Sequence, residues 1–213
     1  MNLVYIHGNH ATADSFNFIR SKLSGYNDIL LEYDSGHGFY SNHATMLERL
    51  AGMRDLFFIA HSLGGIHALH LAAELNDRVL GGVTMSTPYG GSEAAEVVAY
   101  LLPFSQVLQD IRPRSAPILD GKRIALNVPW TNLVSTAGAS PFMLAANDGV
   151  VTQDSMRHRD DIQLVDIACN HFDIVLSQEA LAVIRSEITE VKKGRAMQVR
   201  RDRPTFSPER LHG

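Results

Sequence analysis

Apolar and polar positions follow two periods along the chain. Short apolar runs at residues 3–7, 29–33, 56–60, 79–86, 141–146 and 163–167 have the length and the β-branched or aromatic character of strands. Between them apolar residues recur at helical spacing over 13–23, 43–52 and 62–75, and a fourth such segment, 174–192, follows the last run. Asp14 or Ser15 is placed to cap the first of these helices. Strands alternating with helices predict an α/β protein whose sheet is mostly parallel and covered on both faces. The stretch Leu56-Phe57-Phe58-Ile59 has no polar face and suits a strand buried on both sides.

One interval, 89–139, is much longer than the others. Its segment EVVAYLLPFSQVLQDI carries many apolar residues around Pro103, which removes a helical hydrogen bond and breaks the segment. Pro113, Pro117 and Pro129 follow, the last beside Trp130. The interval reads either as a core helix with an irregular connection, or as a lid or cap whose apolar face covers a binding cleft.

Composition bounds the class. A chain of 213 residues, 45% hydrophobic and 20% charged, is long enough for one substantial core. Met1 leads straight into Leu3-Val4-Tyr5-Ile6, and no apolar run has the length of a membrane span, so neither a signal peptide nor a transmembrane segment is visible and a cytoplasmic location is expected. Cys169 is the single cysteine, which excludes an intrachain disulfide. The net charge of −4 is unevenly spread: residues 192–213 hold seven basic and two acidic residues, net +5, leaving −9 on residues 1–191. With Gly194, Pro204 and Pro208 and few apolar anchors, 192–213 is expected to be a flexible basic tail on a domain spanning 1–191. A nucleic-acid or acidic partner for that tail is the sharper alternative, unsupported by any nucleic-acid motif elsewhere.

The chemistry concentrates at FFIAHSLGGIHALHLAAE, residues 57–74, where a strand gives way to a helix at Ser62. Ala60 and Gly64 flank the serine, so a tight, strained turn there would lift its hydroxyl beside a helix N-terminus. A plain turn whose serine caps the helix is the competing reading. Asp148 lies in FMLAANDGVVTQDS, just beyond the expected 141–146 strand, where Asn147-Asp148-Gly149 is also a strong turn signal in its own right. His171 lies in VDIACNHFDIVLS, just beyond the last strand and before the last helix.

The small-x-Ser-x-Gly turn resembles the nucleophile elbow of the α/β-hydrolase superfamily, with alanine in the first glycine position as in some bacterial lipases. The resemblance covers roughly residues 3–190 and is closest to lipase- and esterase-like members, including triacylglycerol lipases and PGAP1-like serine hydrolases. EYDSGHG at 32–38 and MSTPYGGS at 85–92 are similar to the loops that follow two of the family's strands. The resemblance implies a minimal α/β-hydrolase fold of about six strands, with 89–139 as a small cap, starting at the family's oxyanion strand without its first two strands. It implies a triad in chain order Ser62, Asp148, His171. It also implies an oxyanion hole built from the N–H of Leu63 and, in the loop VYIHGNHATADSF, the N–H of Asn9, with His7 a structural member of that loop.

The expected activity is therefore cleavage of a small-molecule or lipid-like carboxylic ester through an acyl-serine, with no cofactor. Thioesterase, amidase or acyltransferase chemistry uses the same parts, and a hydrolase-fold binding protein that has lost turnover is the alternative of a different class. His67 and His70 stand at i, i+3 on one helix, but no acidic or cysteine partner at ligand spacing accompanies them, and no metal is expected. His61 is assigned to packing at the elbow, and Cys169 to the last strand as a small buried hydrophobe.

Overall fold

The computed structural model describes residues 1–92, 95, 105–140 and 143–201. Six strands form one parallel sheet: β1 (Asn2–Ile6), β2 (Asn27–Leu31), β3 (Leu56–His61), β4 (Val79–Met85), β5 (Trp130–Ser135) and β6 (Gln163–Ile167). Their order across the sheet is β2-β1-β3-β4-β5-β6. The chain therefore reverses its direction of winding between β1 and β3, and the crevice at the carboxyl ends of those two strands is where parallel α/β sheets place ligands.

Alternation along the strands sorts side chains into two layers. Leu3, Tyr5, Phe57, Ile59, Val83 and Met85 face one side, and there they meet Ile19 of helix α1 (Asn17–Lys22) with Leu181, Ile184 and Ile188 of the last helix. Val4, Ile6, Phe58 and Ala60 face the other, against Met46 of α2 (Phe39–Arg49) and Ala68, Leu71 and Leu75 of α3 (Leu63–Leu75). The inner strands β3 and β5 are buried along their whole length, which is why the 56–59 run has no polar face. The edge strands β2 and β6 are partly exposed and carry the polar positions expected of an edge.

Several expected elements are corrected. The strand at 141–146 does not form: 143–146 are irregular, Leu144 is fully exposed, and 141–142 lie outside the described residues. The fifth strand is instead β5, inside the interval read as a cap. Its polar residues hide it in the sequence, yet Asn132 is satisfied by the Thr84 hydroxyl at 2.8 Å and by donating to the Met156 carbonyl at 2.8 Å. Buried polar groups on a central strand are tolerated when they are paired in this way. Of the 89–139 interval, residues 93, 94 and 96–104, Pro103 among them, lie outside the described residues; α4 (Gln106–Asp110) and α5 (Ala116–Arg123) follow.

The first helix opens as a 3₁₀ turn, Ala13–Phe16, and α2 begins at Phe39, four residues before the expected start, just after Gly38 at φ 84°. Beyond the short α6 (Gln153–Met156), the last segment opens as a 3₁₀ turn, Asp173–Leu176. It continues as α7 (Gln178–Arg201), so the first ten residues of the basic segment are helical. There Lys192 lies over the Tyr26 ring at 4.6 Å and Arg195 pairs with Asp55. Residues 202–213 lie outside the described residues. Among the described residues, no helix is long and apolar enough to cross a membrane.

Histidines are buried in this core. His67 is fully buried, stacked on Phe39 with ring centroids 4.1 Å apart, and neither ring nitrogen has a hydrogen-bond partner among the described residues. Burial, and then the neighbouring His43 and His70, hold its imidazolium well below the ordinary range. Burial likewise pushes His61 down to about 3. An unfolded chain takes up protons on these rings as the pH falls below about 6.5, whereas the folded chain refuses them. Stability is thus full above that value and falls with acidification. Urea unfolding between about pH 7 and about pH 5 should show a loss of about 2 kcal/mol for each of His61 and His67, and His67→Leu should remove its share of that slope.

Candidate active site

Ser62 sits between β3 and α3 with φ 52° and ψ −123°, a conformation that L-residues adopt only under constraint. Its N–H donates to the Met85 carbonyl at 2.8 Å and its carbonyl accepts from Gly65 at 2.9 Å, which fixes the turn from both sides. The serine side chain makes no capping bond to the helix. Its Oγ lies instead 3.1 Å from His171 Nε2.

The turn is clamped by neighbouring backbone. A Cβ on Gly64 would overlap the Ile6 and His7 carbonyl oxygens, and one on Gly8 would come within 2.9 Å of His61 Nδ1. Only glycine permits the loop after β1 to lie this close to the elbow. That loop is held from the segment after β2 as well: the Tyr33 hydroxyl donates to the His7 carbonyl at 2.9 Å, His7 stacks on the Tyr33 ring at 4.4 Å, and Ser35 Oγ donates to Asn9 Oδ1 at 2.7 Å. Asn9 and Leu63 consequently line one cavity with Ser62 and His171.

Asp148 is almost wholly buried, in the loop that follows β5 and not at a strand end. The turn expected at Asn147-Asp148-Gly149 is present and serves the site. Asn147 Oδ1 accepts from Gly149 N at 2.9 Å, and Asp148 Oδ1 accepts from Val151 N at 2.7 Å and Val150 N at 3.0 Å. Asp148 Oδ2 accepts from His171 Nδ1 at 2.7 Å and from Ser135 Oγ at 2.5 Å. Burial alone would raise this carboxyl, but the bonds from His171, Ser135 and Val151 outweigh it and hold it below the usual carboxylate range.

An ionised carboxylate only accepts, so the proton on the His171 ring belongs on Nδ1, and Nε2 presents its lone pair to the Ser62 hydroxyl. The histidine is anchored through its main chain too. His171 N donates to the Asp148 carbonyl at 3.0 Å, and its own carbonyl accepts from His61 Nε2 at 2.8 Å. His61, expected only to pack at the elbow, thus orients the histidine loop, and its neutral form is the one that burial favours. The arrangement can move a proton from Ser62 to His171 and stabilise the imidazolium that results.

The cavity over Ser62 has a volume of about 410 Å³, with Val107, Ile111 and Val175 among its walls. No Asp, Glu, Lys or Arg lines it among the described residues. Cys169 lies beyond β6, not on it, and is half-buried; burial and the nearby Asp173 and Asp148 push its thiol up to about 11, which leaves it protonated and a poor nucleophile. His70 Nε2 donates to the Pro117 carbonyl at 2.9 Å, and no three His, Cys, Asp or Glu residues converge as a metal ligand set among the described residues. Ser135, whose hydroxyl reaches Asp148 and lies 2.7 Å from that of Ser86, escapes a reading of the chain because β5 itself is concealed there.

No protein-family model matches the chain, and no curated protein is similar to it in sequence. Solved structures match it in fold. A metagenomic carboxyl esterase superposes with a TM-score of 0.72 at 19% identity, over 91% of this chain and 76% of that one. An extracellular α/β-hydrolase from a Paenibacillus species gives 0.60 at 15% identity, over 88% and 98%. A lipase from Bacillus licheniformis gives 0.58 at 15% identity, over 89% and 91%. The fold is the α/β-hydrolase fold, in a minimal six-stranded form.

The clamp at Gly64 is open to test. Gly64→Ala must displace backbone carbonyls and not a flexible side chain, so urea unfolding should show a loss of about 3 kcal/mol or more. A loss within the error of the measurement would mean that the turn does not depend on this contact.

Proposed function

We propose that this protein is a serine hydrolase that cleaves carboxylic esters through an acyl-Ser62 intermediate. The observation that carries the reading is the continuous chain Ser62 Oγ, His171, Asp148, with contacts of 3.1 and 2.7 Å. In this reading His171 Nε2 takes the Ser62 proton as Oγ attacks the ester carbonyl, and Asp148 holds the Nδ1–H tautomer and the charged ring. The N–H groups of Leu63 and Asn9 take the oxyanion, each contributing about 2.7–4 kcal/mol to the transition state. His171 then returns the proton to the departing alcohol, and water repeats the sequence to release the acid.

The walls of the cavity support an uncharged, apolar acyl group, since a carboxylate or ammonium there would be desolvated without a partner. The carboxyl esterase and the lipase among the structural neighbours favour the same class. No feature of the site favours a thioester or an amide over an oxygen ester.

Mixing the protein with p-nitrophenyl esters should give turnover with a burst of p-nitrophenol, which Ser62→Ala abolishes. Asp148→Asn keeps an acceptor for Val150 and Val151 but turns an amide N–H toward His171, imposing the wrong tautomer. Its kcat should fall by roughly 10⁴-fold while the fold is retained by circular dichroism. Wild-type turnover that survives Ser62→Ala would sink the proposal.

A further inference from the structure

Behind Asp148 lies a second pair of hydroxyls that the proposed reaction does not use. Ser86 follows β4 and Ser135 ends β5; both are fully buried, and their Oγ atoms are 2.7 Å apart. Ser86 N donates to the Leu133 carbonyl at 2.9 Å, and Ser86 itself leaves the strand at φ 51°. The direction of the bonds follows from the carboxylate. Ser135 has one hydroxyl proton and gives it to Asp148 Oδ2, so the Ser86 hydroxyl must donate to Ser135. The result is an ordered line, Ser86 to Ser135 to Asp148 to His171 to Ser62, running across the ends of three adjacent strands. Two hydroxyls in a dry core are unfavourable unless each is paired; Ser135 Oγ also lies 3.5 Å from Met156 Sδ, but a thioether is a weak acceptor and the carboxylate takes the proton.

We infer that Ser135, oriented by Ser86, is a positioning residue of the site: it fixes Asp148 Oδ2 against His171 and sets the pH above which His171 acts as a base. Oδ2 is the atom that both His171 and Ser135 address, so a hydroxyl bond there draws charge from the oxygen facing the imidazole. Removing that bond makes the carboxylate more basic, the imidazolium is held more strongly, and His171 keeps its proton to higher pH. The other titratable groups facing the pair leave this effect readable. His61, from β3, has its rings 4.9 Å from His171 and is pushed down to about 3, and Cys169 is pushed up to about 11, so neither changes charge near neutrality. Asp173 acts on Cys169.

The inference rests on the hydrolase reading for its kinetic arm only. Two readouts keep the failures apart: the acid limb of kcat/KM with a p-nitrophenyl ester, and the ¹⁵N titration of the residue 171 imidazole, which needs no turnover. Ser135→Ala should move both midpoints up by about one pH unit and lower kcat about tenfold. Ser86→Ala, which leaves Ser135 in place but without its donor, should move them up by less, and Ser135→Thr, which keeps the hydroxyl, should leave them in place. An NMR midpoint unchanged in Ser135→Ala overturns the inference, whatever the variant does to stability. Should Ser135→Ala not fold, Ser86→Ala decides, a rise supporting the relay and no change overturning it. Wild-type protein that hydrolyses no ester, with the NMR shifts still present, would count against the hydrolase reading and leave the relay standing.

Discussion

The backbone of Ser62 is held at φ 52°, and the rest of the candidate site is built round the turn that keeps it there. A strained residue persists only where its surroundings over-determine it. Here the determinants are three strand ends brought together. The Met85 carbonyl fixes Ser62 N from β4, and the Ile6 and His7 carbonyls close on Gly64 from β1. One packing constraint therefore does three things at once: it aims the hydroxyl at His171, sets the first turn of α3 beneath it, and brings the Asn9 loop alongside. The parallel sheet makes the constraint affordable, because its buried central strands supply rigid ends on which a strained turn can rest.

Asp148 solves a different problem. A carboxylate with almost no exposure must be neutral or surrounded by donors. Four donors surround it: two backbone N–H groups from its own turn, the His171 ring, and the Ser135 hydroxyl. The turn chemistry of Asn147-Asp148-Gly149 and the polar orientation of His171 are thus one structure. A local turn signal and the candidate site coincide at the same residue because the turn's free N–H groups, together with His171 and Ser135, keep the acid charged.

How far the sequence discloses this follows from which groups carry the pattern. The strands β1, β2, β3, β4 and β6 are legible because their side chains are apolar where the sheet is covered. The arrangement at Ser62 is legible because a strained turn needs small neighbours, and Ala60 and Gly64 announce it. β5 is concealed because Thr131, Asn132 and Ser135 place polar atoms inside the core; Asn132 and Ser135 are paired there by long-range partners, Met156 and Asp148, whereas the Thr131 hydroxyl has no hydrogen-bond partner among the described residues. The apolar stretch at 141–146 competes for the same assignment, yet Leu144 is left in water. Missing β5 also conceals Ser135, and with Ser135 the support behind Asp148. The early start of α2 is hidden for the same reason, since Asn42 resembles a turn residue but is buried and donates back to the Asp34 carbonyl at 2.7 Å.

The central claim is that the geometry makes one serine of this chain a nucleophile. Labelling the intact protein with an alkyl fluorophosphonate and mapping the adduct by peptide mass spectrometry tests it most directly. The account predicts a single adduct on Ser62, formed in the native protein and lost when the fold is denatured before labelling. No adduct, or an adduct on another serine with Ser62 untouched, would contradict it.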